Sequence, residues 1–399
     1  MQPVLTRVGR RTRPMLDSAS MIPARRILVS LLLLVASASS ALAAKSVTIA
    51  EFNQWLIAEH GKSDAKMAEQ VTGMELSERA SAANLAQWQS ESPGSRTRAA
   101  LIALADASQF LPLPTAEIPQ NPAPDLVAQQ TMLSSVVRYV SNTLPKLPDF
   151  SATRETMHFE DKPAQQLVAG PVGIQGFGQT IGVRAGPPSS PTLRSSPGEP
   201  IHFLAQSSVM VTYRNGLEVR DTQNAKAAQT QAAEGFTTSG EFGPVLSVIV
   251  GDAVDSDVHW GHWERDSATT EAVFLYSVPQ QNSHFTVALP NAQQTVTFSP
   301  PYHGEIAIDP TTGSILHLTL ISDPQPPYQQ VQIEIMVEYA PVVIADRTYI
   351  CPVRSVAVSK IPVLGAVADA KHPAPEKTRL NDVSFTHYHL FRTESTILP

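Results

Sequence analysis

The sequence predicts an α+β protein: a curved antiparallel β-sheet with covering helices, preceded by a small N-terminal all-α domain. Three observations predict it. Apolar residues recur at helical spacing between residues 47 and 110, and again from Asp125 to about Thr143. From Phe150 onward the period becomes two, most cleanly where Val331, Ile333, Ile335, Val337 and Tyr339 alternate with Gln332, Glu334, Met336 and Glu338. Turn residues separate the alternating runs, which suits short strands joined by hairpins with one face covered.

The elements follow in order. Thr48 and Glu51 have the spacing of a capping box at the head of a first helix carrying Ile49, Phe52, Trp55 and Leu56, with Gly61 as its stop. A second helix is expected over Asp64–Thr72, closed by Gly73, and a third from near Ser77 through Leu85 and Trp88. Pro93-Gly94 breaks the chain before a helix over Ser95–Phe110. Residues 111–124 hold five prolines and read as an extended linker and domain boundary. One more helix, Asp125–Thr143, ends at Pro145 and Pro148.

Strands are then expected at Thr153–Glu160, Ser208–Arg214 and, after an Asn215-Gly216 turn, at Leu217 and Val219. Between the first two, residues 161–200 read as a long Gly/Pro/Ser-rich loop; residues 222–234 are polar and alanine-rich. A buried helix is expected over Phe242–Ala253. Further strands are expected at 258–264, 272–277, 284–289, 303–309, 315–321, 331–339, 347–360 and 383–398. The organisation is therefore a leader at 1–44, a helical domain at 45–110, a linker at 111–124 and a sheet domain at 125–399.

Composition narrows the class. The 399 residues are 42% hydrophobic and only 16% charged, with a net charge of -7, so no basic nucleic-acid-binding surface is indicated. Arg25 and Arg26 precede the apolar run Ile27–Ala36, and Ala41-Leu42-Ala43 follows, the pattern of a secretory signal peptide starting at Met21. Residues 1–44 carry six basic residues and one acidic residue, so their removal takes the net charge to -12. The expected product is exported, to the periplasm or beyond, with no transmembrane anchor after cleavage. Cys351 is the single cysteine, which excludes an internal disulfide; its apolar flanks predict a buried thiol.

Several segments carry a resemblance. The first strand is entered through Thr143-Leu144-Pro145-Lys146-Leu147-Pro148-Asp149-Phe150. That entry, Glu241-Phe242-Gly243-Pro244 and residues 303–320, 349–359 and 380–395 resemble uncharacterised exported bacterial proteins. Those proteins are similar in turn to the lipoprotein-carrier half-barrel, the LolA-like fold; Asp309-Pro310-Thr311-Thr312-Gly313 between two strands is the element most shared. The resemblance covers about residues 140–399. It implies a half-barrel plugged by helices, and binding of a lipid, an acyl chain or a lipidated partner. The chain departs from compact carriers by its additional helices and long loops.

Candidate chemistry is sparse. His387 and His389, two apart on a strand, share a face, with His303, Glu305 or His317 as further ligands only if other strands bring them close. On an unbroken strand, Trp260, His262 and Glu264 share one side and His259 and Trp263 the other, so aromatic packing explains that segment better than ligation. Asp252, Asp255 and Asp257 lack a calcium-loop pattern and read as a solvated turn. Gly173, Gly176 and Gly178 lack a phosphate-loop lysine and read as a flexible loop. No catalytic residue, metal or cofactor is implied. The expectation is a non-enzymatic envelope binding module whose apolar residues Val209, Val211, Tyr213, Phe274, Tyr276, Ile333, Ile335, Phe385 and Phe391 line the ligand seat. The alternatives are an envelope scaffold that binds a protein partner or, at lower expectation, a metal protein or a hydrolase with dispersed residues.

Overall fold

A computed structural model describes residues 45–143, 146–163, 165–168, 193–196, 198–214, 217–219, 244–266, 269–290, 295–363 and 375–391. The expected leader, the glycines at 173–178, the Asn215-Gly216 turn, residues 222–234 and the tail beyond residue 391 lie outside the described residues. The described residues belong to one compact unit that begins at Lys45.

The first part is helical, as its periodicity predicts, with an unforeseen pair of short strands. β1 (Lys45–Val47) pairs in parallel with β2 (Met74–Leu76) around α1 (Ile49–Ala58) and α2 (Asp64–Thr72). The capping box is present: the Thr48 hydroxyl accepts the Glu51 amide, and the Glu51 carboxylate accepts the Thr48 amide. α3 (Ala82–Ser90) starts later than expected, because Ser81 and Asn84 form a second capping box. Residues Ser77 and Arg79 instead donate backbone bonds to Val47 and Pro112. α4 (Ser95–Ala107) begins after Gly94, which has no capping side chain; Asp64 of α2 accepts the amides of Arg96 and Thr97 in its place. Phe52, Trp88 and Leu101 centre the core of this layer, and the Trp88 indole donates to Asn53 at 2.6 Å.

α5 (Leu126–Thr143) crosses to an antiparallel, open sheet. Its ten strands run β7 (Leu217–Val219), β6 (Glu199–Arg214), β3 (Phe150–Lys162), β16 (Glu376–Leu390), β15 (Arg347–Pro362), β14 (Gln332–Ile344), β13 (Ile315–Ser322), β12 (Tyr302–Ile308), β9 (Thr269–Val278) and β8 (Asp257–Asp266). Most strands are longer than their alternating cores, since pairing continues past the last apolar residue. The expected strand at 284–289 is shorter: β10 (Val287–Pro290) pairs with β11 (Thr295–Phe298) outside the main sheet. Part of the expected loop at 161–200 is strand as well, because β4 (Gln165–Val168) pairs with β5 (Leu193–Ser196). α6 (Pro244–Val254) is the expected buried helix.

Each face of the sheet has its own cover. On the first, Val136 of α5 and Leu246, Ile249 and Val250 of α6 pack on Phe274, Tyr276, Leu318, Ile333, Ile335 and Val337. On the second, Ala103 of α4 packs with Phe159, Met336, Val356, Val358 and Leu380. The alternation on β14 thus serves two layers rather than one apolar and one wet face.

Two glycines permit close approaches. Gly313, at φ +73°, ends the Asp309 turn, and a Cβ there would lie 2.6 Å from the Ser135 backbone of α5. Gly313→Ala is expected to cost about 2 kcal/mol, from strain at positive φ plus displacement of α5; a urea midpoint equal to that of the parent would refute the contact. Gly304 faces the Thr319 carbonyl, 2.0 Å from where a Cβ would stand. The β12–β13 ladder has a gap there, spanned by Glu305 N–H donating to Thr319 Oγ1 (2.9 Å) and Tyr276 O–H donating to the Thr319 carbonyl (2.6 Å).

Candidate functional site

The nine apolar residues expected to line a seat divide among different places. Phe274, Tyr276, Ile333 and Ile335 are buried beneath α5 and α6. Val211, Tyr213 and Phe385 are buried in a second cluster with Phe150 and Cys351. Val209 is exposed, and Phe391 is half-buried with the Arg214 guanidinium 5.9 Å from its ring centroid. The void between the two clusters, lined by Tyr139, Leu246, Phe150 and Cys351 among others, measures about 10 Å³. That leaves room for about one water molecule at most. Burial pushes the Cys351 thiol up to about 12, so it is an inert packing group.

The histidine candidates are also redistributed. A bulge between Thr386 and His389, with His387 at φ +52°, breaks the alternation that would place His387 and His389 on one face. Both are exposed, and among the described residues no group of three or more metal-ligating side chains converges. A second bulge, between Trp260 and His262, reverses another expectation. Trp260 joins Trp263 on one face, ring centroids 4.9 Å apart, while His259, His262 and Glu264 share the other. Asp252 is not in a solvated turn. It is buried on α6 and accepts from Tyr302 Oη (2.7 Å), His284 Nδ1 (2.6 Å) and the His284 amide (2.8 Å).

The bulge at residue 261 matters because it turns Glu264 toward the helical layer. There Arg79, 6% exposed, donates to Glu264 at 2.8 Å and to Glu305 at 3.3 Å. Arg79 itself is held by its backbone bond to Pro112 in the proline-rich stretch. A second arginine, Arg354, reaches three carboxylates: Asp106 of α4, Glu338 at 3.3 Å and Asp382 at 3.1 Å. The second face of the sheet is therefore tied to the helical layer by two guanidinium clamps.

Beside these clamps lies a cavity of about 690 Å³. Its walls come from the start of α3 with Arg79, from Leu113 and Glu117 of the proline-rich stretch, from the Asp309 turn, and from the ends of β8, β9, β13, β14 and β15. The expected linker is therefore a wall as well as a connection. Cavities of about 300–1,000 Å³ are the size that encloses small organic ligands. Sequence reading missed it because its residues come from six or more separate elements. The available signal was charge in buried register: Glu305 precedes Ile306-Ala307-Ile308, and Arg354 stands between Val353 and Val356.

Electrostatics fixes the protonation of the walls. Burial works against ionisation of Glu264, but the His262 imidazole 3.6 Å away and the charge of Arg79 outweigh it and hold the carboxyl down at about 2. Burial, with Arg79 nearby, pulls His317 down to about 4, so its imidazole is neutral at pH 7. Both groups destabilise the fold in acid. The unfolded chain takes up protons that folded His317 refuses as pH falls from about 6.5 to 4, and that folded Glu264 refuses from about 4.5 to 2. His317→Gln is expected to flatten the fall in melting temperature between pH 6.5 and 4, a term of at most about 3 kcal/mol. An unaltered pH profile would refute it.

No protein-family model matches the chain, and neither the curated proteins nor the solved structures give a match. Fold and site together define an α+β protein with an open antiparallel sheet, one helical layer clamped to it by arginines, and a cavity of mixed polar and apolar lining at the junction. Among the described residues no helix is long and apolar enough to cross a membrane.

Proposed function

We propose that the chain is an exported, non-enzymatic binding module of the cell envelope, built on a sheet of the lipoprotein-carrier half-barrel type, and that its ligand sits in the cavity at the clamped junction. The signal-like leader supports export. The antiparallel sheet with α5 and α6 over one face supports the half-barrel comparison. One observation carries the choice of seat: about 690 Å³ at the clamped junction against about 10 Å³ within the apolar face. An acyl chain needs a cavity of several hundred Å³, so the apolar cluster acts as core.

Thermal melts of the full chain against a library of small polar compounds and against fatty acids test this reading. Polar compounds are expected to raise the melting temperature by a few degrees, and Ala82→Trp, which fills the cavity mouth, is expected to abolish the rise. Stabilisation by fatty acids alone would move the seat to the apolar face. No response to any compound would leave the scaffold reading.

A further inference from the structure

We propose that this cavity takes a small organic cation, an amine or guanidine carried on an apolar body. The inference rests on the cavity being the ligand seat. Five carboxylates line it, from Glu117, Glu264, Glu271, Asp309 and Glu338, against the guanidiniums of Arg79 and Arg265. The formal excess is three negative charges. Neither clamp relieves it, because Arg79 is shared by Glu264 and Glu305, and Arg354 by Glu338 and two aspartates. Glu117 makes no side-chain hydrogen bond or ion pair among the described residues. Burial and the nearby Glu78 and Glu264 raise its pKa by more than the charge of Arg79 lowers it.

Part of the wall is apolar, with Leu316, Ile350 and Val353. A metal ion would have no use for that part, and no convergent ligand set is present among the described residues. An anion would meet the excess negative charge. A compact ammonium or guanidinium group beside the carboxylates, with a hydrocarbon or aromatic body against Ile350 and Val353, satisfies both parts of the lining.

The test uses the full chain and three probes of one shape: 2-phenylethylammonium, 2-phenylethanol and 3-phenylpropanoate, by calorimetry at low salt. The ammonium is expected to bind about tenfold or more tighter than the alcohol, and the carboxylate weakest. Its affinity should fall as sodium chloride is added and drop about threefold in Glu117→Gln. Equal or tighter binding of the alcohol or the carboxylate would overturn the cation inference and leave the cavity as a ligand seat. Failure of all three probes, with other polar compounds still stabilising the protein, would overturn it in the same way. Failure of every compound would overturn both readings.

Discussion

Arg354→Met is expected to destabilise the protein by about 3–5 kcal/mol, the range for removing one partner of a buried ionic cluster. The guanidinium joins α4 to β14 and β16 through Asp106, Glu338 and Asp382, and the Asp106 side chain is fully enclosed. Methionine keeps most of the packing volume but leaves three carboxylates facing one another without a cation. Asp106 is pushed well above the usual carboxylate range, first by burial and then by Asp382, so its proton is held more tightly than that of an ordinary carboxyl. Asp106→Asn, which keeps a neutral group of that shape, is therefore expected to cost less than about 1 kcal/mol. Urea denaturation of both variants decides the matter. A loss below about 1 kcal/mol for Arg354→Met would show that the clamp is not what holds α4 to the sheet.

Gly304→Val has the second large effect, about 3 kcal/mol or more. Its first side-chain carbon would fall 2.0 Å from the Thr319 carbonyl oxygen, so β12 and β13 must part. Parting them breaks the Tyr276 and Glu305 bonds to Thr319 and draws Glu305 away from Arg79. The variant should lose stability and the ammonium probe together. Gly251→Ala is the matched control: a Cβ there meets nothing within 4 Å, and alanine favours the helix by about 0.5–1 kcal/mol. If Gly304→Val melts with Gly251→Ala, the gap in the ladder has no structural role.

Local chemistry was legible in the sequence. The Thr48–Glu51 box, the end of α2 at Thr72 and the alternation of β14 were written in a few neighbouring residues, and the structure follows them. Failures came where one residue changes the phase of a strand. The bulge after Trp260 puts Trp260 and His262 on opposite sides, and the one after Thr386 separates His387 from His389. No periodicity argument senses an inserted residue. The site was harder still. Arg79 and Glu305 are 226 positions apart, and Asp106 and Arg354 are 248 apart. What could have pointed to them was a lone Asp106 inside Leu101–Ala107, where the helix is otherwise apolar or small.

The hydrogen bond from the Trp263 indole to the Pro122 carbonyl (2.9 Å) has a bearing on aggregation. An open sheet ends in two strands with unpaired backbone groups, and such borders recruit other chains. At one border β7 is only three residues long and pairs with the last three residues of β6, Thr212–Arg214. At the other, β8 spans ten residues, and Trp263 fastens a segment containing Pro119, Pro122 and Pro124 to it. Prolines carry no amide hydrogen and cannot extend a ladder. A stretch that first reads as a spacer thereby guards the β8 border of the sheet, and cutting the Trp263 tether should be felt first as self-association at high concentration.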